Sequence, residues 1–407
     1  MKGYQFEDTQ GTFHLKKAEN ISYLYFPIAG EAGLKSSFTP NLGGDAKIDQ
    51  NTFLLEPVSA ENLVNNRNSR NFWCNVKGIG SWSLTGHSAE ELSKKFTEMQ
   101  DDSEVTAGFM WQKTTRESKK YQLRGEILSF IPVDKNVEIM LVTITNTGRM
   151  AQTVTPTAAI PLYGRSADNI RDHRHVTSLL HRIETTDTGV LVTPTLSFDE
   201  RGHQVNHMTY YCVGWSGNGE KPVDFYPTAE DFVGEGGNFE RPYAIVKNAE
   251  GVKAGTKIEG LEAVGGLHFS EITLEPEEEC SYLIFTGITE DIQEIRNLSK
   301  TYTTREKVLE ELEKTKAYWQ EKVNVAYHTG DSDFNQFMHW VSFQPILRRI
   351  YGCSFLPHHD YGKGGRGWRD LWQDCLALLI MNPDGVRQML LDNFAGVRID
   401  GSHTTII

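Results

Sequence analysis

Ile139-Met-Leu-Val-Thr-Ile-Thr145, closed by Asn146-Thr-Gly148, is the stretch from which the fold is read. β-Branched side chains suit a pleated strand, and Asn-Thr-Gly supplies a turn. The same grammar recurs. Val190-Leu-Val-Thr193 follows the turn Thr186-Asp-Thr-Gly189, and Thr209-Tyr-Tyr-Cys-Val-Gly-Trp215 runs into Ser216-Gly-Asn-Gly219. Phe269 to Leu274 and Tyr282 to Phe285 flank the loop Glu275-Pro-Glu-Glu-Glu279. Short strands between such turns, with few helical stretches, predict antiparallel sheets packed face to face. Residues 1–300 therefore read as a β-sandwich, with Phe72, Trp73, Trp82 and Trp111 in its core.

The period changes from about Thr303. Arg305 to Val323 predicts a helix, with Val308, Leu309, Leu312 and Trp319 on a narrow stripe and a Glu310–Lys314 ion pair. Residues 301–326 thus read as a helical linker. Beyond it, over residues 327–407, a second helix is capped by Asp333 and kinked at Pro345. A third covers Asp370 to Met381, and a fourth is capped by Asp384 and ends at Gly396. Four helices with nothing to pack on would expose a broad apolar face, so the helical domain is expected to be incomplete within these residues.

The chain has 407 residues and a formal charge of −13, with 41 Lys+Arg against 54 Asp+Glu, which disfavours a nucleic-acid partner. No apolar run approaches the ~18 residues needed to span a bilayer. The N-terminus lacks the apolar core of a signal peptide, and five unpatterned cysteines suit a reducing compartment, so a cytoplasmic location is expected.

The chemistry concentrates in His358-His-Asp-Tyr-Gly-Lys-Gly-Gly-Arg-Gly-Trp-Arg-Asp-Leu-Trp-Gln-Asp374. A glycine-rich loop enters a helix from which Asp370, Gln373 and Asp374 are predicted to project on one side. Carboxylates grip sugar hydroxyls with about 1.5–3 kcal/mol per bond, while the indoles of Trp368 and Trp372 cover the apolar face of a pyranose. The competing structural reading is an Asp370 N-cap, an Arg369 salt bridge and core tryptophans. The many glycines and polar groups of both signs favour a site. The loop lacks the G-x-x-x-x-G-K-[ST] spacing of a nucleotide-binding loop. Lys363 and Arg366, with the backbone of Gly364 to Gly367, suit a smaller anion. Two metal readings, His173 with His175 and Cys353 with Cys375, His358 and His359, lack a third ligand or fall on an apolar helix, and no metal is expected.

Gly-Trp-Arg-Asp-Leu-Trp-Gln-Asp (367–374) resembles the G-[FWY]-R-D-x-x-Q-D element of glycoside hydrolase family 94, the cellobiose phosphorylase family. With Gly364-Gly-Arg before it and Asn393-Phe-Ala-Gly-Val-Arg-Ile-Asp-Gly401 after it, the chain is most similar to the 1,2-β-oligoglucan phosphorylase branch, as is Tyr163-Gly-Arg-Ser-Ala-Asp-Asn-Ile-Arg-Asp-His-Arg-His175. The resemblance implies a β-sandwich, a helical linker and an (α/α)6 barrel. It also implies inverting phosphorolysis of β-linked gluco-oligosaccharides, with inorganic phosphate as co-substrate and no other cofactor. Asp370 matches the aspartate that holds hydroxyls of the non-reducing glucosyl unit; Arg369, Gln373 and Asp374 match its supports. The family's preceding arginine falls on Gly364, between Lys363 and Arg366. Arg398 and Asp400 lie in a stretch expected to face the cleft, and family members often form homodimers. Leu371-Trp372 departs from the small polar residues of disaccharide phosphorylases, so the acceptor stays open.

The runner-up readings are an inverting hydrolase, with Asp370 or Asp374 as base, and a non-catalytic sugar-binding protein. The resemblance places the general acid in a W-N-D-like motif, and none occurs before Ile407. These 407 residues alone are therefore expected to release no glucose 1-phosphate from a β-glucan in the presence of phosphate. Detectable release would overturn that expectation.

Overall fold

The computed structural model describes residues 3–21, 24–59, 62–64, 67, 69–199, 202–351 and 367–403. Among these, two large antiparallel sheets dominate. The larger has eleven strands, and its central members are Leu123–Phe130, Val137–Asn146, Glu279–Thr289 and Thr209–Ser216. The smaller has six, built around Gln152–Leu162 with Asn71–Val76 and Ala263–His268 beside it. A four-stranded sheet, Phe26–Ala29, Lys35–Phe38, Gly44–Asp49 and Thr52–Leu55, contributes Phe26, Phe38 and Leu54 to the core shared with the two large sheets.

Strand Val137–Asn146 shows why the layers stack as they do. Every residue in it is buried, so its two faces feed different cores. Met140, Val142 and Ile144 meet Phe72, Val154 and Ile160 of the smaller sheet, while Ile139 and Leu141 face the other way. There they join Val213, Leu283 and Phe285 against Ile295 and Leu298 of helix Ile292–Thr301 and Val308 and Leu312 of the linker helix. The β-rich reading holds, with differences in detail. Phe269 lies outside the short strand Ile272–Leu274, which borders Gln152–Leu162, whereas Ala263–His268 forms a strand that its glycines conceal.

The linker helix runs from Arg305 to Lys322 and serves two cores. Val308 and Leu312 pack on the large sheet, and Trp319 packs with Phe343, Ile346, Cys375 and Leu378 of the following helices. Leu309 is exposed. The Glu310–Lys314 pair does not form, because Glu310 binds Lys307 and Lys314 binds Glu311 at three-residue steps. Helix Ser332–Tyr351 keeps Pro345 in its interior, and its first turn is capped by Asp331, whose carboxylate accepts the Phe334 N–H at 3.1 Å; Asp333 sits inside that turn. Helix Trp368–Met381 follows, then Val386–Phe394, where Gly385 in the left-handed region takes the capping position predicted for Asp384.

Sandwich and helices are firmly joined. Gly11 donates to Gln336 Oε1 at 3.0 Å, and its carbonyl accepts Trp340 Nε1–H at 2.8 Å. Its φ of +84° is open to glycine, and a Cβ here would lie 3.3 Å from the indole nitrogen, so only glycine serves. Arg349 pairs with Glu31, and the Tyr351 hydroxyl reaches the Ser36 carbonyl at 2.7 Å.

The three sheets meet at a buried ion pair. Arg70, just before strand Asn71–Val76, reaches Glu138 of the central strand at 3.2 Å from Nη2, and the same nitrogen donates to the Asp45 carbonyl at 3.0 Å. Both side chains are fully buried. Removing one partner leaves an uncompensated charge, so Glu138→Gln is expected to cost about 3–5 kcal/mol. The check is the urea midpoint of the variant; an unshifted midpoint would refute the assignment.

Candidate functional site

Gly367 forms the N-cap of helix Trp368–Met381, its carbonyl accepting Asp370 N–H at 2.9 Å and Leu371 N–H at 3.1 Å. Asp370 is therefore a first-turn residue and not the cap. Its carboxylate, near the helix N-terminus where the macrodipole favours negative charge, has a side chain 47% exposed. Oδ1 accepts Arg369 Nη2–H at 3.1 Å, and Oδ2 accepts no bond among the described residues. Arg369 itself projects into solvent. Such an exposed pair is worth at most about 1 kcal/mol, so a sugar hydroxyl can compete with it.

One turn later the environment inverts. Asp374 is 2% exposed and accepts Arg348 Nε–H at 2.8 Å, with a second bond from Nη2. This bidentate bond raises the Arg348 pKa, helped by the charges of Asp374 and Asp370. Gln373 is exposed. The residues predicted to share one face are thus divided: Asp370 and Gln373 reach solvent, while Asp374 is spent between helices. Arg348 was invisible to sequence reasoning, because nothing in a pair of arginines near a helix end says which carboxylate lies opposite.

The aromatics form a connected row. Trp368 meets Trp372 edge-on at 5.3 Å, and Trp372 meets Phe394 edge-on at 5.0 Å. The imidazole of His403 lies flat on Trp368, 4.4 Å away with an interplanar angle of 12°. His403 is a second residue that no motif or spacing singles out. It reaches Trp368 because the chain after Val386–Phe394 turns back, with a bridge between Val397 and His403. One indole face is therefore already covered.

Arg398 and Asp400 lie in that returning turn, both exposed. Asp400 is committed locally: its Oδ1 accepts the Ser402 N–H at 2.9 Å and the Ser402 hydroxyl at 2.6 Å, which lowers its pKa. Lys363 and Arg366 fall outside the described residues, as do Tyr361, His358, His359 and Cys353. Cys375 lies in the apolar core between helices, where Asn393 approaches its sulfur at 3.7 Å. In the sandwich, within the segment 163–175, the Arg174 guanidinium binds Glu56 and Glu262, and Glu262 also receives Arg67 and Arg165.

With this arrangement in view, the comparisons define the class. Residues 55–305 match the glycosyl hydrolase 94 supersandwich domain, and the chain belongs to the glycoside hydrolase 94 family. It is 26% identical over 194 residues to the cyclic β-(1,2)-glucan synthase NdvB of Rhizobium meliloti (strain 1021), across 47% of this chain and 6% of that protein. Among solved structures it is similar to a bacterial glucoamylase complexed with acarbose, with a TM-score of 0.49 and 10% identity over 98% of this chain and 52% of that one. A family GH92 α-mannosidase from Bacteroides thetaiotaomicron has a TM-score of 0.38 and 11% identity over 84% of this chain and 38% of that one. The chain thus spans about half the length of the glucoamylase and a small part of the synthase.

The Arg348–Asp374 pair predicts a selective stability loss. Arg348→Ala strands a buried carboxylate, and because Arg348 is itself partly exposed the cost falls near the low end for buried pairs, about 2–3 kcal/mol. Thermal unfolding followed by circular dichroism measures it; a wild-type midpoint would show that the pair contributes nothing.

Proposed function

We propose that the whole enzyme is an inverting phosphorylase that uses inorganic phosphate to cleave β-linked gluco-oligosaccharides, β-1,2-glucans in particular, and releases α-glucose 1-phosphate. Phosphate oxygen bonds to the anomeric carbon from the face opposite the leaving oxygen, whose bond to that carbon breaks as a general acid protonates it. A hydrolase needs a second carboxylate to activate water. Phosphate arrives charged and nucleophilic, so the protein's work is to hold it in line and to grip the sugar.

The observation that carries this reading is the accessible Asp370 carboxylate, with one oxygen that accepts no bond among the described residues, beside Trp368 and Trp372 at the start of a helix. Membership of the glycoside hydrolase 94 family supports a glycoside-active enzyme. Similarity to a β-(1,2)-glucan synthase supports the linkage. Arg369 and Gln373, exposed on either side of Asp370, are read as contacts that steady the same glucosyl unit, and Arg398, Lys363 and Arg366 as cations near it. Leu376, Leu379, Ile380 and Leu391 are exposed, which supports reading these helices as the beginning of an (α/α)6 barrel.

Asp370→Asn in the complete enzyme is expected to raise KM for the oligosaccharide about tenfold to a hundredfold, the weight of charge-assisted hydrogen bonds of about 1.5–3 kcal/mol. Its thermal midpoint should match the wild type. Unchanged KM and kcat would remove Asp370 from the site, and product formed without added phosphate would favour a hydrolase.

A further inference from the structure

Arg348 lies in the last turn of helix Ser332–Tyr351, opposite the first turns of helix Trp368–Met381. Asp374 engages two of the three guanidinium nitrogens: Nε donates at 2.8 Å, and Nη2 bonds the same carboxylate. Nη1 makes no hydrogen bond among the described residues and is not sealed from solvent, in a side chain 36% exposed. A planar fork gripped on one edge by a buried carboxylate cannot rotate freely, so its remaining N–H groups keep a fixed direction.

Asp370 stands one turn before Asp374, on the same side of its helix. Its charge acts on the Arg348 guanidinium, yet among the described residues no ion pair joins the two. A group that bonds both must therefore lie between them. Nη1 can only donate. Asp370 Oδ2, which accepts no bond among the described residues, can only accept when ionised. What sits between has to accept and donate at once. A hydroxyl does both, whereas a carbonyl only accepts and an ammonium only donates. The charges of Arg348, Arg369, Asp370 and Asp374 cancel, so these four groups hold no excess that would draw an ion in preference. Water meets the same hydrogen-bond demand. The indole of Trp368 at the same helix start favours a hydroxyl carried on a C–H surface over water.

We propose that Arg348 is a substrate-binding residue, its Nη1–H group and the Asp370 carboxylate sharing one hydroxyl of the terminal glucosyl unit. This role rests on the reading of Asp370 as the sugar-binding carboxylate and supplies the donor half of that contact. Arg348 then serves twice: two nitrogens fix the helix, and the third meets the sugar.

Steady-state kinetics of the complete enzyme on a β-1,2-linked glucotriose with phosphate separate a sugar contact from a helix strut. Arg348→Lys keeps the charge but cannot bond Asp374 and a hydroxyl together. Asp374→Asn loosens the helix pair and leaves Nη1 in place, and Asp370→Asn reports on the site itself. Thermal midpoints put the first two variants on one stability scale. Arg348→Lys is expected to raise KM about tenfold more than Asp374→Asn does, equivalent to about 1.4 kcal/mol, with kcat unchanged and a midpoint lowered no further. An equal rise in both would show Arg348 acting only through the helix and would overturn the proposal. An unchanged KM in Arg348→Lys beside a raised one in Asp370→Asn defeats the shared hydroxyl alone; unchanged values in both remove Asp370 from the site as well.

Discussion

A carboxylate buried between two helices sets the geometry of the candidate site. At 2% exposure the Asp374 carboxylate has little water to bond, and the Arg348 guanidinium takes its place through two N–H groups. A bidentate bond has little tolerance for rotation, so helix Trp368–Met381 is fixed in phase against helix Ser332–Tyr351. Asp370, one turn earlier, is thereby turned toward solvent beside the same guanidinium. Two carboxylates four residues apart acquire different roles from what lies opposite each.

That helix pair is itself held by the sandwich. Trp340 donates to the carbonyl of Gly11 and sits among Phe13, Phe26, Phe109 and Phe343, while Arg349 and Tyr351 bind the turn and strands around Glu31 and Ser36. The Ser36 hydroxyl bonds Glu138, the partner of buried Arg70. A continuous line of polar contacts thus runs from the middle of the sheets to the long helix, and the apolar core around Trp319 lies beside it. The sandwich serves as the rigid base on which the site helix is mounted.

Much of this architecture was legible in residue order. β-Branched runs between Gly and Asn turns give strands because their physics is local, and the three-to-four period of Val308, Leu312 and Trp319 gives the linker helix for the same reason. The strand Ala263–His268 was missed because its two glycines remove the β-branched signal, and they are tolerated where Tyr226 and Cys212 pack closely against them. Helix starts were misplaced by a residue or two, because Asp331 and Asp333 are equivalent cap formers until the backbone selects one. Least legible were pairings across long loops. Arg348 with Asp374, His403 with Trp368, and Gly11 with Trp340 depend on tertiary proximity that no periodicity encodes. That 367–374 gathers carboxylates, an amide and indoles at one helix start could be read from residue types alone; which of its acids is exposed could not.

The central proposal is that Asp370 holds a terminal glucosyl unit while Asp374, bound to Arg348, fixes the helix. The most direct measurement is a crystal structure of the complete enzyme soaked with glucose. The account predicts a pyranose with hydroxyls on the Asp370 carboxylate and its apolar face toward the indoles, Asp374 still bound to Arg348. Glucose seated away from Asp370, or bonded to an Asp374 that has left Arg348, would contradict it.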